Sequence, residues 1–331
     1  MNKSASAALL PILVPVSFAI ACITIVLPAI TRQINSDYIH VFRTSFLGIL
    51  LEALPFVLVG AILSSLLHLY VSEEMLGKWI PRNPFIGIVF ACLLGLVFPI
   101  CECGMIPLIR RLIQKGMPVY IAVVFILSGP ILNPVVYAAT YMAFRLYPEM
   151  VYARMGLAFF VAAAIGLMIF FTWRSNPLKL SLSRMDNSPA HSTEHNSRKW
   201  KAIFVHAADE VFEMGKYLII GCLLTAGIQS FVARESLTAI GSGPVSSYVF
   251  MMGFAFVLSL CSTSDAFVAS TFMHSFSSGS LLAFLVFGPM LDFKNLLMLL
   301  SVFKTKFVLY LAFLICTVVF IGSALTGGIF L

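Results

Sequence analysis

PFIGIVFACLLGLVFPICECGMIPLIRRLIQK, residues 84–115, is the stretch on which the architecture turns. Its first seventeen residues, Pro84 to Ile100, are apolar and run straight into Cys101-Glu102-Cys103-Gly104. A helix rises about 1.5 Å per residue, so this run is marginally short for a hydrocarbon core about 30 Å thick. It either crosses the bilayer or enters and returns as a re-entrant hairpin, and the choice fixes the orientation of everything after it. Ser246 to Leu260, about fifteen residues, runs in the same way into Cys261-Ser262-Thr263-Ser264-Asp265.

Around these two stretches lie seven longer apolar ones, at about 7–30, 44–70, 117–143, 151–173, 203–233, 279–303 and 307–329. Of 331 residues, 60% are hydrophobic and 11% charged, with a mean hydropathy of +1.00. A soluble domain carries about 25% charged residues, so a soluble globular protein is excluded and a polytopic membrane protein implied. The net charge of +7 does not mark a nucleic-acid partner, because the basic residues lie in short loops between apolar runs. The seven cysteines sit within or at the ends of apolar segments, which argues against an extracellular disulfide framework. Residues 1–30 are expected to hold a retained N-terminal span, since the stretch from Ala7 to Ile30 is too long for a signal-peptide core. Arg174 to Lys201, with six Lys or Arg, is the only long hydrophilic stretch and reads as a linker between two halves, 44–173 and 202–331.

The halves repeat. Glu52 to Gly60 (EALPFVLVG) matches Glu213 to Gly221 (EMGKYLIIG), Cys101 matches Cys261, and Gly129-Pro130-Ile131-Leu132-Asn133 matches Gly288-Pro289-Met290-Leu291-Asp292, at offsets of 161, 160 and 159. Three matches in one order at nearly constant offset point to internal duplication, a hallmark of transporters whose related bundles move around a shared site. The basic residues arbitrate the topology. If all nine stretches cross, the Lys and Arg of the loops and termini divide eleven to eight; if the two cysteine-bearing stretches re-enter, they divide fourteen to five. In the second arrangement Arg110, Arg111, Lys115 and the linker share one side, and Arg32, Arg43, Arg145, Arg154 and Arg234 the other. The positive-inside rule prefers the second, with a cytoplasmic N-terminus. Each half then has three spans and a hairpin, so the fold expected is an all-α membrane protein of two inverted repeats, each with a cysteine-tipped re-entrant or broken segment, plus one extra span.

Cys101-Glu102-Cys103-Gly104 is the sharpest chemical motif. Two thiols one residue apart, with a glycine to tighten the turn, can close a chelate around one soft centre. Cys261, at the matching position, would supply a third sulfur to a metal or metalloid if the tips meet. Cys22, Cys92, Cys222 and Cys316 are read as inert apolar residues. Acids within apolar runs are costly in lipid, which makes Glu52, Glu213, Asp265 and Asp292 candidates for a polar cavity, with the matched pair Glu52 and Glu213 suited to coupling a proton or cation. Gly129-Pro130 with Asn133-Pro134, and Gly288-Pro289 with Asp292, break helices in mid-run, which is tolerated where they line a cavity. His191 and His195 lie in the polar linker and read as solvated. No phosphate-binding loop appears and no cofactor is implied.

With the Cys-x-Cys-Gly turn at Phe98 to Gly104 and the Leu-Ser-Gly-Pro-x-x-Asn-Pro break at Leu127 to Pro134, the chain resembles the predicted permease family that includes ArsP-type organoarsenical exporters and the bacterial YraQ and YcgR proteins. The resemblance implies a permease of the cytoplasmic membrane. For the arsenical branch it implies trivalent arsenic held by cysteine thiols, here Cys101 and Cys103. YcgR-like members resemble subunits paired with a second, smaller membrane protein. The function expected is a secondary transporter, not an enzyme, of a soft, thiol-seeking solute: a metal ion, a metalloid or a small sulfur compound. Cys101, Glu102, Cys103, Cys261, Asp265, Asn133 and Asp292 are the expected solute contacts. Two other readings stand beside it, a thiol oxidoreductase cycling Cys101 and Cys103 and a non-transporting subunit of a larger complex.

Overall fold

A computed structural model describes residues 36–70, 81, 83–97, 101–173, 177–178, 196–231 and 243–329. Twelve helices appear among them in two runs of six. The first run is α1 (Ser36–Tyr70), α2 (Pro84–Val97), α3 (Glu102–Gln114), α4 (Val119–Leu132), α5 (Pro134–Ala143) and α6 (Pro148–Thr172). The second is α7 (Asn196–Phe231), α8 (Pro244–Leu258), α9 (Ser264–Ser270), α10 (Ser278–Met290), α11 (Phe293–Val302) and α12 (Thr305–Ile329). The element order of one run is that of the other, as the sequence matches require. Both runs open earlier than the apolar stretches suggest, α1 at Ser36 and α7 at Asn196. Polar first turns continue a helix beyond its lipid-facing length, and hydropathy marks only the latter. The expected first span at 7–30 and nearly all of the linker, with His191 and His195, lie outside the described residues.

Among the described residues four helical stretches are long and apolar enough to cross a membrane: Ile39–Leu66, Pro148–Thr172, Ser278–Val302 (α10 with α11) and Thr305–Gly328. Val119–Leu132 and Pro134–Ala143, bent by 41° at Asn133, form a fifth span if taken together. These match five of the seven long apolar stretches. A sixth, 203–233, falls mostly on α7, whose early side chains lie outside the described residues. Most of Ser278–Val302 is buried in the protein, whereas the other three spans expose most of theirs. Phe160, Phe171, Phe313 and Leu325 face outward, as suits helices solvated by lipid. At 14 and 15 residues, α2 and α8 are about 21 and 22 Å long, short of the bilayer core.

The contacts between the runs are reciprocal. α1 packs on α7, α4 on α10 and α6 on α12, each a helix against its own counterpart. α3 packs on α11 and α9 packs on α5, so the helix that follows each cysteine lies against the broken helix of the other run. Small residues permit the closest approaches. A Cβ on Gly60 of α1 would lie 2.5 Å from the Gly104 carbonyl oxygen of α3, and one on the matching Gly221 of α7 would lie 3.3 Å from Cα of Lys294 on α11.

Candidate functional site

The two tips share one backbone design. The Cys101 carbonyl accepts from the N–H groups of Gly104 and Met105, both at 3.1 Å, and the Cys261 carbonyl accepts from those of Ser264 and Asp265, both at 3.0 Å. Each cysteine thus leads into a helix, α3 after Cys101 and α9 after Cys261. Ser259, two residues before Cys261, caps α8 in the left-handed region at φ 47°, which a non-glycine residue adopts only under constraint. Helix breaks match in the same way. The Asn133 side chain accepts from Val136 N–H at 2.8 Å at the start of α5, and the Asp292 side chain accepts from Asn295 N–H at the start of α11. The paired Asn and Asp are therefore N-caps, each satisfying a first-turn N–H of the helix that resumes after the break. Asn133 also donates to the Pro130 carbonyl at 3.5 Å, across the break itself. Gly129 and Gly288 are buried in the last turn before each break, and Pro134 opens α5.

Two ion pairs link the runs. Glu102, at the first tip, is 1% exposed, and its Oε1 lies 4.0 Å from Nζ of Lys294 on α11; the same ammonium lies 3.5 Å from Oδ2 of Asp292. Asp265, at the second tip, meets Arg154 of α6 at 2.7 Å, with both side chains buried. The Arg154 guanidinium also donates to the Ser262 carbonyl at 3.1 Å and to the Thr140 hydroxyl at 2.8 Å. Each tip takes its cation from the other run, and the counterparts of those cations are apolar: Val135 for Lys294, and the stretch Leu311 to Leu314 for Arg154.

Neither cation was recognisable as a site residue from sequence. Lys294 stands two residues after Asp292 in a polar break and looks like a loop lysine. Arg154, read as a loop arginine that helps set topology, is instead fully buried within a span. Without it the re-entrant arrangement divides the basic residues fourteen to four, so the bias survives. The signal that could have exposed Arg154 is its place three residues inside the apolar run 151–173, where an unpaired guanidinium would be costly.

The sulfurs are free thiols. Cys101 and Cys103 are buried, and Lys294 lies within electrostatic reach of Cys103 and Cys261. Cys261 is half-buried and accepts from the Thr263 hydroxyl at 3.6 Å. The three sulfurs are not gathered into one centre: among the described residues no group of three or more His, Cys, Asp or Glu is placed to hold a metal ion. Cys222 is not the isolated residue expected from its apolar neighbours. It is fully buried on α7, within electrostatic reach of Lys294, Cys103 and Asp292.

Glu52 lies near the middle of its span, 13 and 14 residues from the ends at Ile39 and Leu66, or about 20 Å from either. It is therefore no helix-end anchor. Its carboxylate is exposed and accepts from the Ser264 hydroxyl at the second tip at 3.4 Å. A carboxylate at that depth requires polar surroundings rather than hydrocarbon. Glu213 occupies the matching position on α7, and its side chain lies outside the described residues.

Residues 38–328 match the model of a family described as a predicted permease. The chain is similar to the UPF0718 protein YcgR of Bacillus subtilis, at 46% identity over 286 residues, covering 86% of this chain and 96% of that protein. It is also similar to a putative two-component membrane permease complex subunit of Streptococcus mutans, at 39% identity over 268 residues, covering 80% and 87% of the two chains. No solved structure matches.

Proposed function

The chain belongs to the ArsP-type predicted permease family and is a multi-pass membrane protein, and from that premise we propose that it is a secondary transporter of a soft, thiol-seeking solute, such as a metal ion, a metalloid or an organoarsenical. The observation that carries this reading is the convergence of a buried two-thiol turn with Glu102, Lys294 and Asp292 where the tip of one run meets the broken helix of the other. Thiols select soft centres. Charged groups at that depth persist only around a polar path or in pairs, and this cluster brings both signs to the sulfurs.

In this reading Cys101 and Cys103 bind the solute, and Cys261 contacts it only once the first tip has moved towards the second. Glu102, Asp265, Asn133 and Asp292 shape the polar wall, and Glu52 with Glu213 exchanges a coupling cation. The two runs are inverted repeats, the cysteine-bearing segments re-enter, and the N-terminus is cytoplasmic. The chain works with a second membrane subunit, as the description of the Streptococcus mutans relative states for that protein. A thiol oxidoreductase would leave the duplicated helix breaks without a purpose, so transport is the stronger reading.

Replacing Cys101 and Cys103 together with Ser is expected to abolish protection or uptake in a growth panel of soft metals and arsenicals, with membrane abundance unchanged. Full activity in the double variant would remove the thiol site from the mechanism.

A further inference from the structure

The two tips are built alike and held differently. Arg154 grips the second tip through a 2.7 Å bond to Asp265 and a 3.1 Å bond to the Ser262 carbonyl, and is itself braced by Thr140. One side chain therefore fixes both the backbone and the acid of that tip. Among the described residues the first tip has no such clamp. Its acid, Glu102, shares a single ammonium with Asp292 at the longer separations of 4.0 and 3.5 Å. Among the described residues neither Glu102 oxygen accepts a hydrogen bond, whereas Asp265 leaves only one oxygen in that state. A buried carboxylate in this condition forfeits much of the stabilisation that a hydrogen-bonded ion pair recovers.

We propose that Arg154 and Lys294 are positioning residues of unequal strength, so that the Cys101–Gly104 tip is the element that moves in the working cycle while the Cys261–Asp265 tip stays anchored. The inference rests on the permease reading, since the tips must flank the path for their motion to matter. Its physical content is a local opening free energy smaller at the first tip than at the second.

The test reads tip motion rather than flux, so it stands or falls separately from solute identity. In two versions of the full chain, one retaining only Cys103 and the other only Cys261, the rate of modification by a small water-soluble maleimide is measured in native membranes. Lys294→Gln is expected to raise the Cys103 rate about tenfold and leave the Cys261 rate within about twofold. Should Lys294→Gln fail to accumulate, Glu102→Gln makes the same comparison, because it removes the charge the ammonium balances while keeping the shape. Arg154→Lys, which keeps the charge and loses the forked contact, is expected to raise the Cys261 rate and not the Cys103 rate. An unchanged Cys103 rate in the Lys294 or Glu102 variant, or equal acceleration of both thiols, would overturn the assignment. Loss of solute protection in the Cys101 and Cys103 double variant would still support the permease reading in that case.

Discussion

Arg154 illustrates what a single residue contributes when its surroundings leave it no water. A buried guanidinium with one carboxylate, one backbone carbonyl and one hydroxyl is stable only while those partners are in place. Removing one member of such a pair typically costs about 3–5 kcal/mol, whereas replacing both with apolar residues of similar volume is often neutral. Arg154→Met is therefore expected to lower the denaturant midpoint of the purified protein strongly, and Arg154→Met with Asp265→Leu to recover most of the loss. A single variant as stable as the parent would show that the pair contributes little. Cys101, Cys103 and Asp265 were visible in the sequence because thiols and acids are conspicuous in apolar runs. Lys294 was hidden, since only the fold reveals that the lysine after Asp292 turns inward to meet a glutamate 192 residues earlier.

At the scale of helices, the duplication was legible because it rests on local backbone needs. Gly-Pro followed by Asn or Asp writes a broken helix and its cap within five residues, and the observed caps at Asn133 and Asp292 follow directly. Which helices meet was not legible, since pairing in lipid depends on close backbone approach rather than on apolar pattern. Gly60 shows the difference. It sits on an apolar helix like any other small residue, yet a methyl group there would overlap the backbone of Gly104. Gly60→Ala is expected to separate α1 from α3 and lower thermal stability. Gly48→Ala on the same helix, with no atom within 4 Å of the added carbon, should be neutral or slightly stabilising. Melting of the two purified variants side by side checks this, and equal behaviour would remove the contact from the packing argument.

For the molecule as a whole, the twelve helices among the described residues fall in two runs of six with one element order, and α3 packs on α11 as α9 packs on α5. The direction of each run across the bilayer is the part that reporter fusions decide. Fusions are expected to place residue 115 and the 174–201 linker in the cytoplasm and residue 331 outside. A fusion at 331 that reports the cytoplasm would favour the nine-crossing arrangement, in which all stretches cross and the repeats are parallel.

Because each tip borrows its cation from the opposite run, biogenesis faces a waiting period. When the first six helices have left the ribosome, Arg154 and Glu102 have already been inserted, while Asp265 and Lys294 are still to be synthesised. The nascent half holds one basic and one acidic side chain without their mature partners, in a phase that charges each of them a penalty of about 2.5–3.5 kcal/mol on insertion scales. Until α9 and α11 follow, those two side chains lack the ion-pair partners that offset this cost.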